Sequence, residues 1–186
     1  MEKKAIIVTG PIGSGKSTVL SIIRKLGFNT VDLDVISETI LTSDKSKEFM
    51  IENFPTSIIN KKISKKIIAE IVFNDRLQLE KLEQFLHPKI MKNLDEIINK
   101  NNDITFVEVS APKKIHKDFK TLVIWSSEND RVERLKNRNM EIEDIKNRMN
   151  FQPNDDWWLS IGTVIKNDNL KQLEGEIKNF LENNIK

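Results

Sequence analysis

Apolar residues run unbroken over positions 5–8, then thin into a repeat of three that carries Leu20, Ile23 and Leu26. An unbroken run of this kind predicts a strand covered on both faces, and the wider repeat predicts one face of a helix. Gly27 directly after Leu26 predicts the end of that helix. Residues 28–32 read as a second strand that ends at Asp32-Leu33-Asp34, and helical character resumes over 35–41. From 44 to 100 the pattern is predominantly helical, with breaks expected at Phe54-Pro55 and Asn74-Asp75, and Pro88 is expected to kink or start a helix. Strands follow over 104–109 and 121–125, and helices over 129–138 and 141–149. A short strand over 163–165 and a helix over 170–183 close the chain.

Strands that alternate with helices specify an α/β fold with a mainly parallel sheet, here of five strands. The helical stretch at 44–100 breaks that alternation and reads as an insertion into a core made of residues 1–42 and 103–186. At 186 residues the chain is long enough for one well-buried domain of this kind.

Composition narrows the function classes. Lys and Arg number 30 against 28 Asp and Glu, a formal net charge of +2, which argues against a nucleic-acid partner. No cysteine occurs, so disulfides, thiolate catalysis and zinc-thiolate sites are excluded. The apolar run at 5–8 is too short for a signal peptide, and no segment approaches the ~20 apolar residues that span a bilayer. The expectation is a soluble cytoplasmic protein with no membrane partner, a monomer or weak homo-oligomer.

Three of the six glycines, Gly10, Gly13 and Gly15, fall within six residues, directly before Lys16 and Ser17. The octet Gly10-Pro11-Ile12-Gly13-Ser14-Gly15-Lys16-Ser17 fits G-x-x-x-x-G-K-S/T, and Thr18 continues it into the helix. Glycine lets the chain wrap so closely that backbone N–H groups converge on phosphate oxygens, and the following helix adds its unpaired donors and positive dipole end. In this role Lys16 reaches the β- and γ-phosphates of ATP and the Ser17 hydroxyl ligates Mg²⁺. The guanine-reading N-K-x-D segment of GTPases is absent; Lys166-Asn167-Asp168 comes nearest but lacks the order.

Two further constellations point to a small-molecule kinase. Asp34 follows a strand whose carboxyl end faces the ligand crevice of a parallel sheet, where a carboxylate can take the proton of an attacking hydroxyl. It can equally cap the helix that follows. Four of the six arginines, Arg131, Arg134, Arg138 and Arg148, lie within 18 residues of an otherwise lysine-rich chain. The first three, spaced i, i+3, i+7, share one face of the predicted helix. Either they belong to a closing lid over the γ-phosphate, about residues 131–155, or they decorate a solvated helix.

In these residues the chain resembles the dephospho-coenzyme A kinase family. Residues 9–18 resemble its phosphate loop, and 27–40 its G-x-x-V-I-D-A-D segment. His87-Pro88 matches its H-P pair, 131–138 its Q-x-x-R-L-x-x-R, 148–152 its R-x-x-x-Q, and 164–167 its V-I-x-N. The resemblance implies a P-loop kinase fold and transfer of phosphoryl from Mg²⁺-ATP to the 3′-hydroxyl of dephospho-CoA. It implies that Asp34 is the general base, that Arg138 and Arg148 lie at the ATP side, and that the 44–100 region helps enclose the CoA moiety. His87 is then a substrate-positioning or structural residue. Departures fall at Glu38, where the family usually has arginine, at 110–114, and at Arg131 in place of glutamine. Weaker signals are Trp157-Trp158, which stack on adenine or simply pack, and Lys61-Lys62 and Lys65-Lys66, which meet substrate phosphates or line a solvated face. Other readings of the same residues are another P-loop kinase, of nucleoside monophosphate or shikimate type, and a nucleotide-sensing switch.

Overall fold

The computed structural model describes residues 4–101 and 103–185; the first three residues and the last, which the expected core includes, lie outside them. The chain divides into two units, one running to Asp32 and resuming at Asn101, the other spanning Leu33–Lys100. The helix expected over 35–41 therefore belongs with the helical unit.

Strand β1 (Ala5–Thr9) is buried along its whole length, as its unbroken apolar run requires. Helix α1 (Lys16–Lys25) buries Val19, Leu20 and Ile23, and β2 (Asn29–Asp32) follows. The second unit holds α2 (Leu33–Leu41), α3 (Asp44–Asn53), a short hairpin of β3 (Ile58–Ile59) and β4 (Lys62–Ile63), α4 (Lys65–Asn74) and α5 (Arg76–Lys100). Its core gathers Leu41, Met50, Phe54, Ile68, Val72, Leu82 and Leu86, beside Phe49 stacked on Phe85 with ring centroids 3.8 Å apart.

One feature of this unit departs from the sequence expectation, and a second decides between alternatives the sequence left open. The hairpin lies where only helix was expected, and its turn residues Asn60 and Lys61 both take positive φ, 49° and 64°. Positive φ at both central residues matches the right-handed twist of paired strands, which is why such turns close short hairpins. Pro88 neither starts nor ends a helix; it lies inside the 25-residue α5. Proline costs that helix one hydrogen bond. Burial of Leu82, Leu86, Leu94 and Ile98 at helical spacing on either side of it holds the helix together.

The first unit resumes with β5 (Thr105–Glu108), β6 (Lys120–Trp125), α6 (Glu128–Lys136), α7 (Ile142–Asn150), α8 (Asp155–Ser160), β7 (Thr163–Lys166) and α9 (Leu170–Asn184). Five strands make one parallel sheet, as expected from the sequence, and the structure sets their order as β2-β5-β1-β6-β7. Ile6, Val8, Leu122 and Ile124 cluster with Val19, Ile23, Leu173 and Ile177 of α1 and α9. Ile7, Val107 and Val123 alternate to the opposite face and are equally buried. Burial on both faces is the reason these strands carry no polar alternation. We expect Leu122→Ala, at the fully buried sheet centre, to lower unfolding free energy by about 2–5 kcal/mol in a urea titration.

Because the strands are parallel, their carboxyl ends share one edge of the sheet. Val8 pairs with Glu108, and Glu108 with Asp32, so these acids stand side by side there. The loop after β1 and the residues after β6 and β7 leave from the same edge. Among the described residues no helix is long and apolar enough to cross a membrane.

Candidate active site

The segment between β1 and α1 is shaped by its glycines. A side chain at Gly10 would collide with the Ile124 carbonyl, one at Gly13 with the backbone of Arg131, and one at Gly15 with the Asn167 amide. Gly13 and Gly15 also hold φ of +80° and +99°, values that side-chain-bearing residues rarely adopt. The loop therefore runs flush against β6, α6 and the end of β7.

Its ligand side is rich in donors. Gly15 caps α1 without a side-chain hydrogen bond, and no acidic residue stands in the first turn. An uncapped helix N-terminus of this kind presents backbone N–H groups and a positive dipole end to an anion. Lys16 arches back so that Nζ donates to the carbonyls of Gly10 at 2.9 Å and Pro11 at 3.2 Å. The Ile12 N–H donates to Gln152 Oε1 at 2.8 Å. Ser14 is fully buried, and its Oγ has no hydrogen-bond partner among the described residues. This donor set suits a chain of phosphates. Ser17, exposed in the first turn of α1, offers a hydroxyl to a divalent ion. Among the described residues there is no cluster of three acidic or histidine groups; an ion of the magnesium type ordinarily takes phosphate oxygens and water as its other ligands.

The far side of the loop is held by two residues distant in sequence. Arg134 Nη1 donates to the Ser14 carbonyl at 3.3 Å, the Gly13 carbonyl at 3.4 Å and Ser126 Oγ at 3.0 Å, and its Nη2 donates to the Asn167 carbonyl. Asn167 Nδ2 donates to the Ser14 carbonyl at 2.8 Å. The Asn167 N–H is itself anchored on the Trp125 carbonyl at 2.7 Å. Arg131 is buried behind Gly13 and pairs with Asp155 at 3.2 Å.

The arginine cluster is thus split. Arg131 and Arg134 are committed to the scaffold of the loop. Arg138 does not share their helix face, because α6 ends at Lys136 and the chain turns through a left-handed Asn139 at φ 59°. Arg138 is exposed, and Arg148 binds Asp144 on its own helix at 3.1 Å. Trp158 is buried in α8, with Trp157 edge-on to both Trp158 and His116.

The other expected residues lie in the second unit. Asp34 stands exposed in the first turn of α2, two residues beyond the end of β2. The helix already begins at Leu33, so Asp34 lies within the turn rather than before it. His87 is exposed in α5. Glu38, one turn after Asp34, pairs with Lys65 of α4 at 2.6 Å, both side chains about half exposed.

A family model described as dephospho-CoA kinase matches residues 4–172. This chain belongs to the dephospho-CoA kinase family. Membership makes it a kinase, with ATP as phosphoryl donor, of the family that phosphorylates dephospho-CoA in coenzyme A biosynthesis. The dephospho-CoA kinase of Helicobacter pylori is 29% identical, over 97% of this chain and 97% of that protein. The solved structure of a dephospho-CoA kinase from Campylobacter jejuni superposes with a TM-score of 0.71 at 28% identity, over 98% of this chain and 96% of that one. A Thermus thermophilus structure superposes with a TM-score of 0.92 over the whole of both chains at 23% identity, a likeness of fold.

In this dephospho-CoA kinase chain, sequence reasoning missed the roles of Arg134, Gln152 and Asn167 at the loop. The segments that resemble V-I-x-N and R-x-x-x-Q contained Asn167 and Gln152, but nothing in either says that it reaches back to Ser14 or Ile12.

Proposed function

We propose that this protein transfers the γ-phosphoryl group of Mg²⁺-ATP to the 3′-hydroxyl of the dephospho-CoA ribose, giving CoA and ADP. The observation that carries the reading is the glycine loop of residues 10–18, with its uncapped helix N-terminus and Lys16 at its rim. Residues 10–15 wrap the phosphates, and all of them but Pro11 carry a backbone N–H that can serve as a donor. The Lys16 stem is long and flexible, so Nζ can exchange the Gly10 and Pro11 carbonyls for β- and γ-oxygens. Arg138 and Arg148, the exposed arginines of the lid side at 131–155, stabilise charge on the group in transit. Asp34 accepts or orients the proton of the ribose hydroxyl, and His87 positions the acceptor within the helical unit. Mg²⁺, held by Ser17 and the phosphates, neutralises charge on the β- and γ-oxygens when bound. The enzyme acts in the cytoplasm as a monomer or weak homo-oligomer, without a nucleic-acid or membrane partner.

Incubating the protein with Mg-ATP and dephospho-CoA, and following products by chromatography and mass, tests this directly. The expected result is CoA and ADP in equal amounts, with no product from nucleoside monophosphates or shikimate. ADP without CoA, or no reaction, overturns the acceptor assignment.

A further inference from the structure

Arg134 and Asn167 meet at one peptide group of the loop. The Ser14 carbonyl accepts from Asn167 Nδ2 at 2.8 Å and from Arg134 Nη1 at 3.3 Å, and Arg134 also holds the Gly13 carbonyl and the Asn167 carbonyl. Asn167 is 4% exposed, and its own N–H is fixed to the end of β6. These contacts tie α6 and β7 to the underside of the loop, and none of the groups involved lies on its ligand side.

A trans peptide plane points its C=O and its N–H in opposite directions. A Ser14 carbonyl turned toward Asn167 and Arg134 therefore turns the Gly15 N–H away from them, toward the mouth of the loop. That plane is a weak point in the chain. Gly15 stands at φ +99° and, as glycine, accepts either sign of φ at little cost, so the Ser14–Gly15 peptide can flip. A flip would aim a carbonyl, a negative dipole end, at the phosphates. Two donors on one carbonyl oppose it, and the charge on Arg134 polarises the same peptide so that its N–H becomes a stronger donor.

We infer that Arg134 and Asn167 are positioning residues for phosphoryl transfer: together they lock the Ser14–Gly15 peptide in the orientation that presents its N–H to the nucleotide phosphates. The inference rests on the phosphate-loop reading above. It separates Arg134 from Arg138 and Arg148, since Arg134 acts through the backbone and touches no phosphate.

The test compares wild type, N167A and R134K for binding of inorganic tripolyphosphate, ATP and adenosine by calorimetry, with kcat and KM for both substrates. N167A deletes one donor to Ser14 and keeps the Asn167 backbone contacts. R134K keeps the charge and loses the fork. We expect each variant to weaken tripolyphosphate and ATP binding by about tenfold, as loss of a net hydrogen bond to a charged or polarised group implies. Adenosine binding and the KM for dephospho-CoA are expected to stay unchanged. The two losses should be less than additive in the double variant, since both act on one carbonyl. Equal losses for adenosine and tripolyphosphate would mean that the residues only maintain the fold, and unchanged phosphate binding in a folded N167A would overturn the inference outright. Wild type that binds neither tripolyphosphate nor ATP would instead overturn the phosphate-loop reading. Should R134K fail to fold, N167A carries the test alone.

Discussion

Asp34→Asn is expected to lower kcat by about 10²–10⁴-fold, the usual worth of a positioned general base, while ATP affinity stays near that of wild type. The carboxylate is the one group assigned to the acceptor proton, and the amide that replaces it has the same size but no basicity. Asp34 stands in the first turn of α2, where a negative charge also complements the helix dipole, so a stability loss of about 0.3–1 kcal/mol accompanies the change. A thermal melt measures that part, and an ATP titration beside the steady-state assay separates it from chemistry. Near-normal turnover in a folded variant would sink the assignment of Asp34 as base.

Lys16→Ala should damage the other half of the reaction. Removing a preorganised cation from a site of phosphoryl charge costs about 10²–10³-fold in kcat, and ATP affinity should fall with it, since the proposed role of Lys16 has it touch the phosphates before and during transfer. In the free protein Lys16 Nζ bonds the Gly10 and Pro11 carbonyls, two contacts within the loop that take no part in the buried sheet core, so the fold should survive. Unimpaired ATP binding and turnover would refute the phosphate-loop reading. The contrast between the variants is the informative result: Asp34→Asn separates turnover from ATP binding, whereas Lys16→Ala lowers both.

The residues proposed for the acceptor side, Asp34 and His87, belong to the second unit. Glu38 stands where the family resemblance leads one to expect arginine, and it is bound to Lys65. An exposed pair of this kind contributes about 0–1 kcal/mol to stability, so its retention is no strong requirement of the fold. The lysines at 65–66, read from sequence as substrate contacts or a solvated face, thus include one that is tied to the face of α2 bearing Asp34 and Glu38.

Most of the fold was legible in the chain because its cause is local. Burial on both faces makes β1 and the 122–125 end of β6 nearly continuous apolar runs, and one-sided burial gives α1 its repeat, so each element announces its own environment. The phosphate loop was legible for the same reason: the glycines at 10, 13 and 15 and Lys16 and Ser17 act through an eight-residue stretch of backbone. The α3–β3 and α4–α5 breaks showed in Pro55 and Asp75. The small β3–β4 hairpin did not, since two residues per strand give no period to read, and Asn60-Lys61 lacks the glycine that usually marks such a turn. Pro88 left two readings open, a helix start or a position inside a helix, because its local cost is visible in sequence while the packing around Leu82, Leu86 and Leu94 that offsets it is not.

What the sequence determined by itself is that a polyphosphate cradle sits at the carboxyl edge of a parallel sheet, followed by a carboxylate at Asp34 and four clustered arginines. Only the tertiary structure decided what those arginines do. Spacing put Arg131, Arg134 and Arg138 on one helix face, but the direction of a guanidinium depends on what the helix packs against. Gly13 and Ser14 lie 120 or more residues away along the chain from Arg134, and Ser14 lies 153 residues from Asn167. A hydrophobic period records which side of an element is covered. It carries no record of which distant carbonyl a buried donor will find, so which of the arginines brace the loop is decided only when α6 and β7 close against it.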